Sequence, residues 1–228
     1  MTTHEIAGQT VTMPVQVRDA SSCTVMYDVD AAAAQALLPE AFEVVESAPG
    51  RANFALALVD YRDNDLGAYL EVGLILFVRP RSGGEDGNFI LRLPVDQEFT
   101  CEAGCRIWGF PKTVEQIDRT DGDGSTTWTL VMDGELVLRV TAPRGGSDEQ
   151  PAMPMTSYTM LDGVPHATLF TQQGTGSQLV LGGEGVQLEL GSHPVAKELA
   201  SLGLPSEPVL STWTERMQAT FEEPRPLA

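Results

Sequence analysis

The sequence predicts an α+β protein built mainly of antiparallel strands, with a few short flanking helices. Three observations carry that reading. Runs of apolar, β-branched and aromatic residues of strand length recur between clusters of Gly, Asp and Asn. Asp133-Gly134 stands between TWTLVM and ELVLRV, and that dipeptide supplies the positive φ angles of a tight hairpin turn. Strands do not alternate with long helical patterns, which argues against a doubly wound parallel sheet.

In chain order, Asp30 can cap a helix over Ala31–Leu38, which Pro39 stops. Ala52–Tyr61, Tyr69–Arg79 and Asn88–Val95 read as strands, separated by the turn clusters 62–65 and 81–87. Thr127–Ala142 is the Asp-Gly hairpin. Ala142–Pro154 is rich in Gly, Pro and charge, and reads as a long surface loop. Ser177–Leu181 and Val186–Leu190, joined by Gly182-Gly183-Glu184-Gly185, predict a second hairpin. Ser192 or His193 can cap a helix with Pro194 in its first turn and its end near Gly203. Glu222–Pro226 reads as a frayed tail. No internal repeat divides the chain, so one domain over residues 1–228 is expected.

Charge narrows the function. The chain has 14 Lys+Arg against 32 Asp+Glu, a net charge of −18. So acidic a surface repels phosphate backbones and anionic leaflets, so neither nucleic acid nor a membrane is an expected partner. The N-terminal residues lack a basic start and an apolar stretch, and the longest apolar run, near Val72–Val78, is too short to span a bilayer. A cytoplasmic protein is the expectation. Cys23, Cys101 and Cys105 are too few for a disulfide scaffold, and Cys101-x-x-x-Cys105 has no second ligand pair, so buried thiols are expected and no metal. His166 and His193 invite a catalytic reading, against which helix capping is the simpler role for His193, just before Pro194. Met153, Met155 and Met160 read as core filler or pocket wall.

No nucleophile elbow, dinucleotide fingerprint, P-loop or zinc-protease motif is present. The informative segment is Gly104–Lys112, where Ile107, Trp108, Phe110 and Pro111 crowd the approach to a lysine. The chain has 12 Arg and only two Lys, Lys112 and Lys197. A free lysine titrates near about 10.4, so only about one in a few thousand is a neutral amine at pH 7. Lowering it to about 7 takes roughly 4 kcal/mol, which burial among apolar groups can supply. The alternative is a lysine that snorkels past Trp108 and Phe110 to the surface. Glu71 is the second unusual residue. It lies inside an apolar strand, on one face with Gly73 and Ile75, while Val72, Leu74 and Leu76 share the other. It points either to a solvated edge or into a cavity.

Together these segments resemble the acetoacetate decarboxylase family over most of the chain. Tyr27-x-x-Asp30 with Leu38-Pro39-Glu40, Gly67-x-Tyr69-x-Glu71, Gly109-Phe110-Pro111-Lys112, and His193-Pro194 with Leu202-x-Leu204-Pro205 are similar to its motifs in order and spacing. The resemblance implies a cone-like antiparallel β-barrel, a homo-oligomer, no cofactor, and decarboxylation of a small β-keto acid through an imine. It implies Lys112 as the Schiff-base lysine and Glu71 as the active-site carboxylate, with Tyr69 and Phe110 beside the substrate. Where well-known members carry a second lysine this chain has Thr113, so burial alone would have to activate Lys112. A close ionised Glu71 would raise that lysine, so Glu71 is expected to be partly protonated or some ångströms away. Cys105 and Arg106 replace an Arg-Glu pair. The place of an N-terminal carboxylate-binding arginine falls on Ala20, and Arg18, two residues away on the same strand face, is the candidate to substitute for it. Two other readings stay open: an aldolase-dehydratase that condenses pyruvate with an aldehyde through the same lysine, and a non-catalytic barrel that binds an apolar ligand.

Overall fold

The computed structural model describes residues 2–227. A hairpin of β1 (Thr3–Ile6) and β2 (Gln9–Thr12) leads into the long β3 (Val15–Asp30). Asp30 ends that strand and caps α1 (Ala31–Ala36), its carboxylate accepting from the Ala33 amide. The short β4 (Phe42–Val44) and β5 (Glu46–Ala48) precede three long strands, β6 (Arg51–Asn64), β7 (Tyr69–Pro80) and β8 (Gly87–Val95). Then come α2 (Glu98–Ala103), a π-helical turn over Gly104–Trp108, and β9 (Lys112–Val114). β10 (Gln116–Gly122), β11 (Ser125–Met132) and β12 (Glu135–Pro143) form a meander, with Asp133 and Gly134 at φ 52° and 77° as the Asp-Gly turn requires. The chain closes with β13 (Asp148–Leu161), β14 (Val164–Leu181), β15 (Gln187–Leu190), α3 (Pro194–Ser201), β16 (Leu210–Phe221) and β17 (Arg225–Pro226).

Seven strands close into a barrel in the order β7-β6-β3-β16-β14-β13-β8, and β8 pairs back onto β7. All of its pairings are antiparallel except the β13–β8 seam, which is parallel and only two residue pairs long, Ser157↔Asn88 and Tyr158↔Phe89. A second sheet, β10-β11-β12-β15, packs on the outside.

Period-two alternation assigns each barrel strand two jobs. Cys23, Val25, Tyr27, Leu56, Leu58, Val72 and Leu74 share a buried core with Trp128, Leu130 and Val140 of the second sheet. The intervening residues, among them Thr24, Met26, Ala55, Ala57 and Ile75, line a cavity in the barrel. The two faces of β7 expected from sequence are therefore both used.

Three expectations need correction. Gly182–Gly185 does not join a hairpin: β14 pairs with β13 and β16, whereas β15 pairs with β12 in the other sheet. The glycines carry the chain between sheets, and turn composition does not say which strands pair. Half of the expected 142–154 loop is β13. Its prolines sit where the ladder is interrupted, between Gln150 and Met153, or on a side with no neighbouring strand. The C-terminal segment is held down, since Glu222 N–H donates to Leu169, the Trp108 indole donates to Glu222, and β17 pairs with β14. His193 rather than Ser192 caps α3, its Nδ1 accepting from the Val195 amide.

Candidate functional site

Lys112 begins β9, which runs parallel to β8. The preceding turn is held by several groups. Gly109 has φ 67°, and a Cβ there would lie 2.6 Å from the Met160 carbonyl, so only glycine fits. Trp108 is buried, stacks on Phe110 at 5.5 Å, and is fixed at both ends by Thr159 and Glu222. Gly104 packs against the lysine stem itself: a Cβ there would meet Lys112 Cδ at 2.6 Å and Cε at 2.8 Å. Alternation along β9 sends Lys112 inward and leaves Thr113 exposed.

The Lys112 side chain is 3% exposed, so the snorkelling alternative does not hold. Its Nζ lies 2.8 Å from Glu71 Oε2, donates to Thr100 Oγ1 at 3.1 Å, and sits 4.8 Å from the Tyr69 ring centroid. Tyr61 Oη donates to the other Glu71 oxygen at 3.2 Å and its ring stacks on Tyr69 at 4.4 Å. β6 and β7 bring this about, because their register sets Tyr61 opposite Tyr69 and Val59 opposite Glu71.

Burial is the largest influence and works to lower the Lys112 pKa, but Glu71 at hydrogen-bonding distance and Tyr69 together outweigh it, and the ammonium is raised above the ordinary lysine value. This corrects the expectation of a depressed amine: the site is buried, yet its lysine is not depressed at rest. Of the two alternatives expected for Glu71, standing some ångströms off is ruled out by the contact. Burial pushes the Tyr61 and Tyr69 phenols up, so both are protonated donors at neutral pH.

The pair lies at the wall of a cavity of about 620 Å³ lined mostly by apolar side chains, with Tyr69, Trp108 and Phe110 among them. Lys112 is the one cation among its lining residues. Arg18 is not brought to it. Its guanidinium is half exposed and pairs with Asp63 and Asp65, so its charge is already matched in solvent. Arg106 is exposed and pairs with Glu102, and Cys105 Sγ donates to the Lys112 carbonyl at 3.5 Å. Met153 and Met155 line the cavity, whereas Met160 packs on the core. His166 and His193 lie outside the cavity lining. Sequence reasoning missed Tyr61, Thr100 and Gly104. Tyr61 could have been found from its period-two spacing to Val59 on a strand facing Glu71; Thr100 left no local signal. Among the described residues no cluster of three or more His, Cys, Asp or Glu could hold a metal ion, and no helix is long and apolar enough to cross a membrane.

A family model described as "Acetoacetate decarboxylase (ADC)" matches residues 2–226. No curated protein matches the chain. Among solved structures, an acetoacetate decarboxylase from Legionella pneumophila subsp. pneumophila str. Philadelphia 1 aligns with a TM-score of 0.68 at 18% identity, over 94% of this chain and 87% of that one. The enduracididine biosynthesis enzyme MppR complexed with pyruvate aligns at 0.67 and 17% identity, over 96% and 91%. An acetoacetate decarboxylase-like enzyme from Sphingomonas wittichii RW1 aligns at 0.59 and 16% identity, over 95% and 94%. At such identities the likeness is one of fold.

Proposed function

The chain belongs to the acetoacetate decarboxylase family, and we propose that it is a lyase in which Lys112 forms a Schiff base with the ketone of a β-keto acid. The single observation behind this reading is the buried Lys112–Glu71 pair at 2.8 Å on the wall of an apolar cavity.

At rest the pair holds one proton, on Lys112. In a dry site, moving that proton to Glu71 converts two desolvated charges into two neutral groups, which recovers the cost of keeping both charges away from water. An arriving ketone that displaces residual water favours the neutral pair. The Lys112 amine then attacks the carbonyl carbon, and its extra proton passes to the oxygen, giving a neutral carbinolamine. Glu71 returns its proton, water leaves, and a protonated imine remains beside a Glu71 carboxylate. Loss of CO₂ sends its bonding electrons into the imine, neutralising the nitrogen as an enamine. Protonation at carbon and addition of water release the ketone and restore the ammonium. No neighbouring cation is required, which agrees with an exposed Thr113. Tyr61 holds Glu71 in place, and the protonated Tyr69 phenol is available as a donor to the substrate.

The fold likeness to MppR complexed with pyruvate supports a second reading, condensation of pyruvate with an aldehyde through the same imine. Borohydride trapping separates the two. Acetoacetate or pyruvate with borohydride should add mass at Lys112. Failure of every keto acid to do so refutes both enzyme readings and leaves a ligand-binding barrel. Trapping of pyruvate without CO₂ release from acetoacetate selects the condensation.

A further inference from the structure

The cavity is much larger than the reaction at Lys112 needs. On β7 its lining runs from Glu71 through Ile75 to Phe77, and on β6 from Tyr61 through Val59 and Ala57 to Ala55. Six residues of strand are about 20 Å at roughly 3.3 Å each. The volume of about 620 Å³ equals about 20 waters at roughly 30 Å³ apiece. A four-carbon keto acid fills only the Lys112 end.

The chemistry of the remainder is as informative as its size. Midway its wall carries the small side chain of Ala57, which closes over Gly73 opposite it on the β6–β7 ladder, where a Cβ would lie 3.3 Å from Ala57 Cβ and 3.4 Å from Leu93 Cδ1. Beyond them the wall is mainly apolar, with Ile75, Phe77 and Ile90, and its polar side chains, among them Thr24, Asn88 and Thr212, are uncharged. Charge is lacking there: the carboxylates other than Glu71, Asp148 and Glu149, stand on the exposed start of β13, and Lys112 is already neutralised by Glu71. An anionic extension of the substrate would lose its hydration with no cation in return. An apolar chain would lose nothing and bury its surface.

We propose that the natural substrate is a carbonyl compound with an extended, uncharged apolar tail, the carbonyl at Lys112 and the tail along the channel past Ala57, Ala55 and Phe77. The inference rests on the imine reading for the placement of the carbonyl, but the channel stands on its own lining.

The test uses a ladder of methyl ketones lengthened from acetone by successive methylenes. Two readouts are taken on the intact protein: the ketone concentration giving half-maximal borohydride trapping at Lys112, and displacement of the neutral fluorophore N-phenylnaphthylamine without any chemistry. Both concentrations should fall about fourfold per added methylene until the channel is full. Ala55→Phe should abolish that gain for the long ketones and leave acetone trapping unchanged. Trapping of acetone with no dependence on chain length in either readout overturns the tail proposal and leaves the imine. Displacement that strengthens with length, with no adduct from any ketone, overturns the imine and leaves the tail. A failure of Ala55→Phe to affect the long ketones overturns the assigned path.

Discussion

Replacing Glu71 by Gln keeps the side-chain volume and removes one negative charge 2.8 Å from Lys112 Nζ. Unit charges at that distance attract by about 6 kcal/mol at an effective dielectric constant of about 20, and by about 1.5 kcal/mol in water. At about 1.36 kcal/mol per pKa unit, the carboxylate therefore raises Lys112 by roughly one to four units. Burial acts in the opposite direction and survives the substitution. The Lys112 midpoint should accordingly fall by at least about one unit, from above the ordinary lysine value to below it. Competitive acetylation with acetic anhydride across a pH series measures this directly. The protein carries its own reference, since Lys197 lies exposed on α3 and is the only other lysine. In Glu71→Gln the Lys112 curve should move to lower pH while the Lys197 curve stays put. Imine trapping should nevertheless slow, because the freed amine has lost the group that takes and returns its proton. A Lys112 midpoint that stays or rises would refute the reasoning, for it would mean that Glu71 is not what holds the proton on the amine.

Two further outcomes follow from the same geometry. Gly104→Ala places a methyl 2.6 Å from Lys112 Cδ; an amine moved by about 1 Å should trap ketones roughly 10²-fold more slowly, with the circular dichroism spectrum unchanged. Lys112→Met combined with Glu71→Leu removes both buried charges together, and should abolish trapping while leaving Tm within a few degrees of the parent or above it. It should also flatten the alkaline limb of stability. A lysine raised in the folded state contributes fully below its unfolded value of about 10.4 and loses that contribution as pH rises through its folded value. The parent should therefore lose more Tm than the double variant between about pH 9 and about pH 11, measured by thermal scans of both proteins; Tyr61 and Tyr69 remain in each.

What could be read from the sequence was what local chemistry decides. The Asp30 and His193 caps, the Asp133-Gly134 turn and the two faces of β7 all depend on residues a few positions apart, and all are found in the structure. Pairing partners were not legible, because Gly182–Gly185 is equally good chemistry for a hairpin and for a passage between sheets. Prolines 151 and 154 hid β13, since a free strand side tolerates them and a composition count does not see which side is free. At the site, the order of Gly67-x-Tyr69-x-Glu71 and Gly109-Phe110-Pro111-Lys112 pointed to the pair but not to its distance, and the distance reverses the direction of the lysine shift. Arg18 shares a strand with cavity residues, yet two aspartates 45 and 47 residues away hold it outside.

The seven-strand ring has a consequence that is a matter of parity. Directions around a closed ring can alternate throughout only if the number of strands is even. With seven, one neighbour pair must point the same way, whatever the sequence, and here that pair is β13 and β8. Their connection spans more than fifty residues of chain, not a tight turn, and their ladder is reduced to Ser157↔Asn88 and Tyr158↔Phe89. Beyond those two pairs β13 has no partner on that side. In that stretch Glu149, Gln150, Pro151, Met153 and Met155 line the cavity, and Glu149, Pro151 and Met153 are exposed. The cavity wall thus has an unpaired strand side where the barrel's count of strands fails to divide by two.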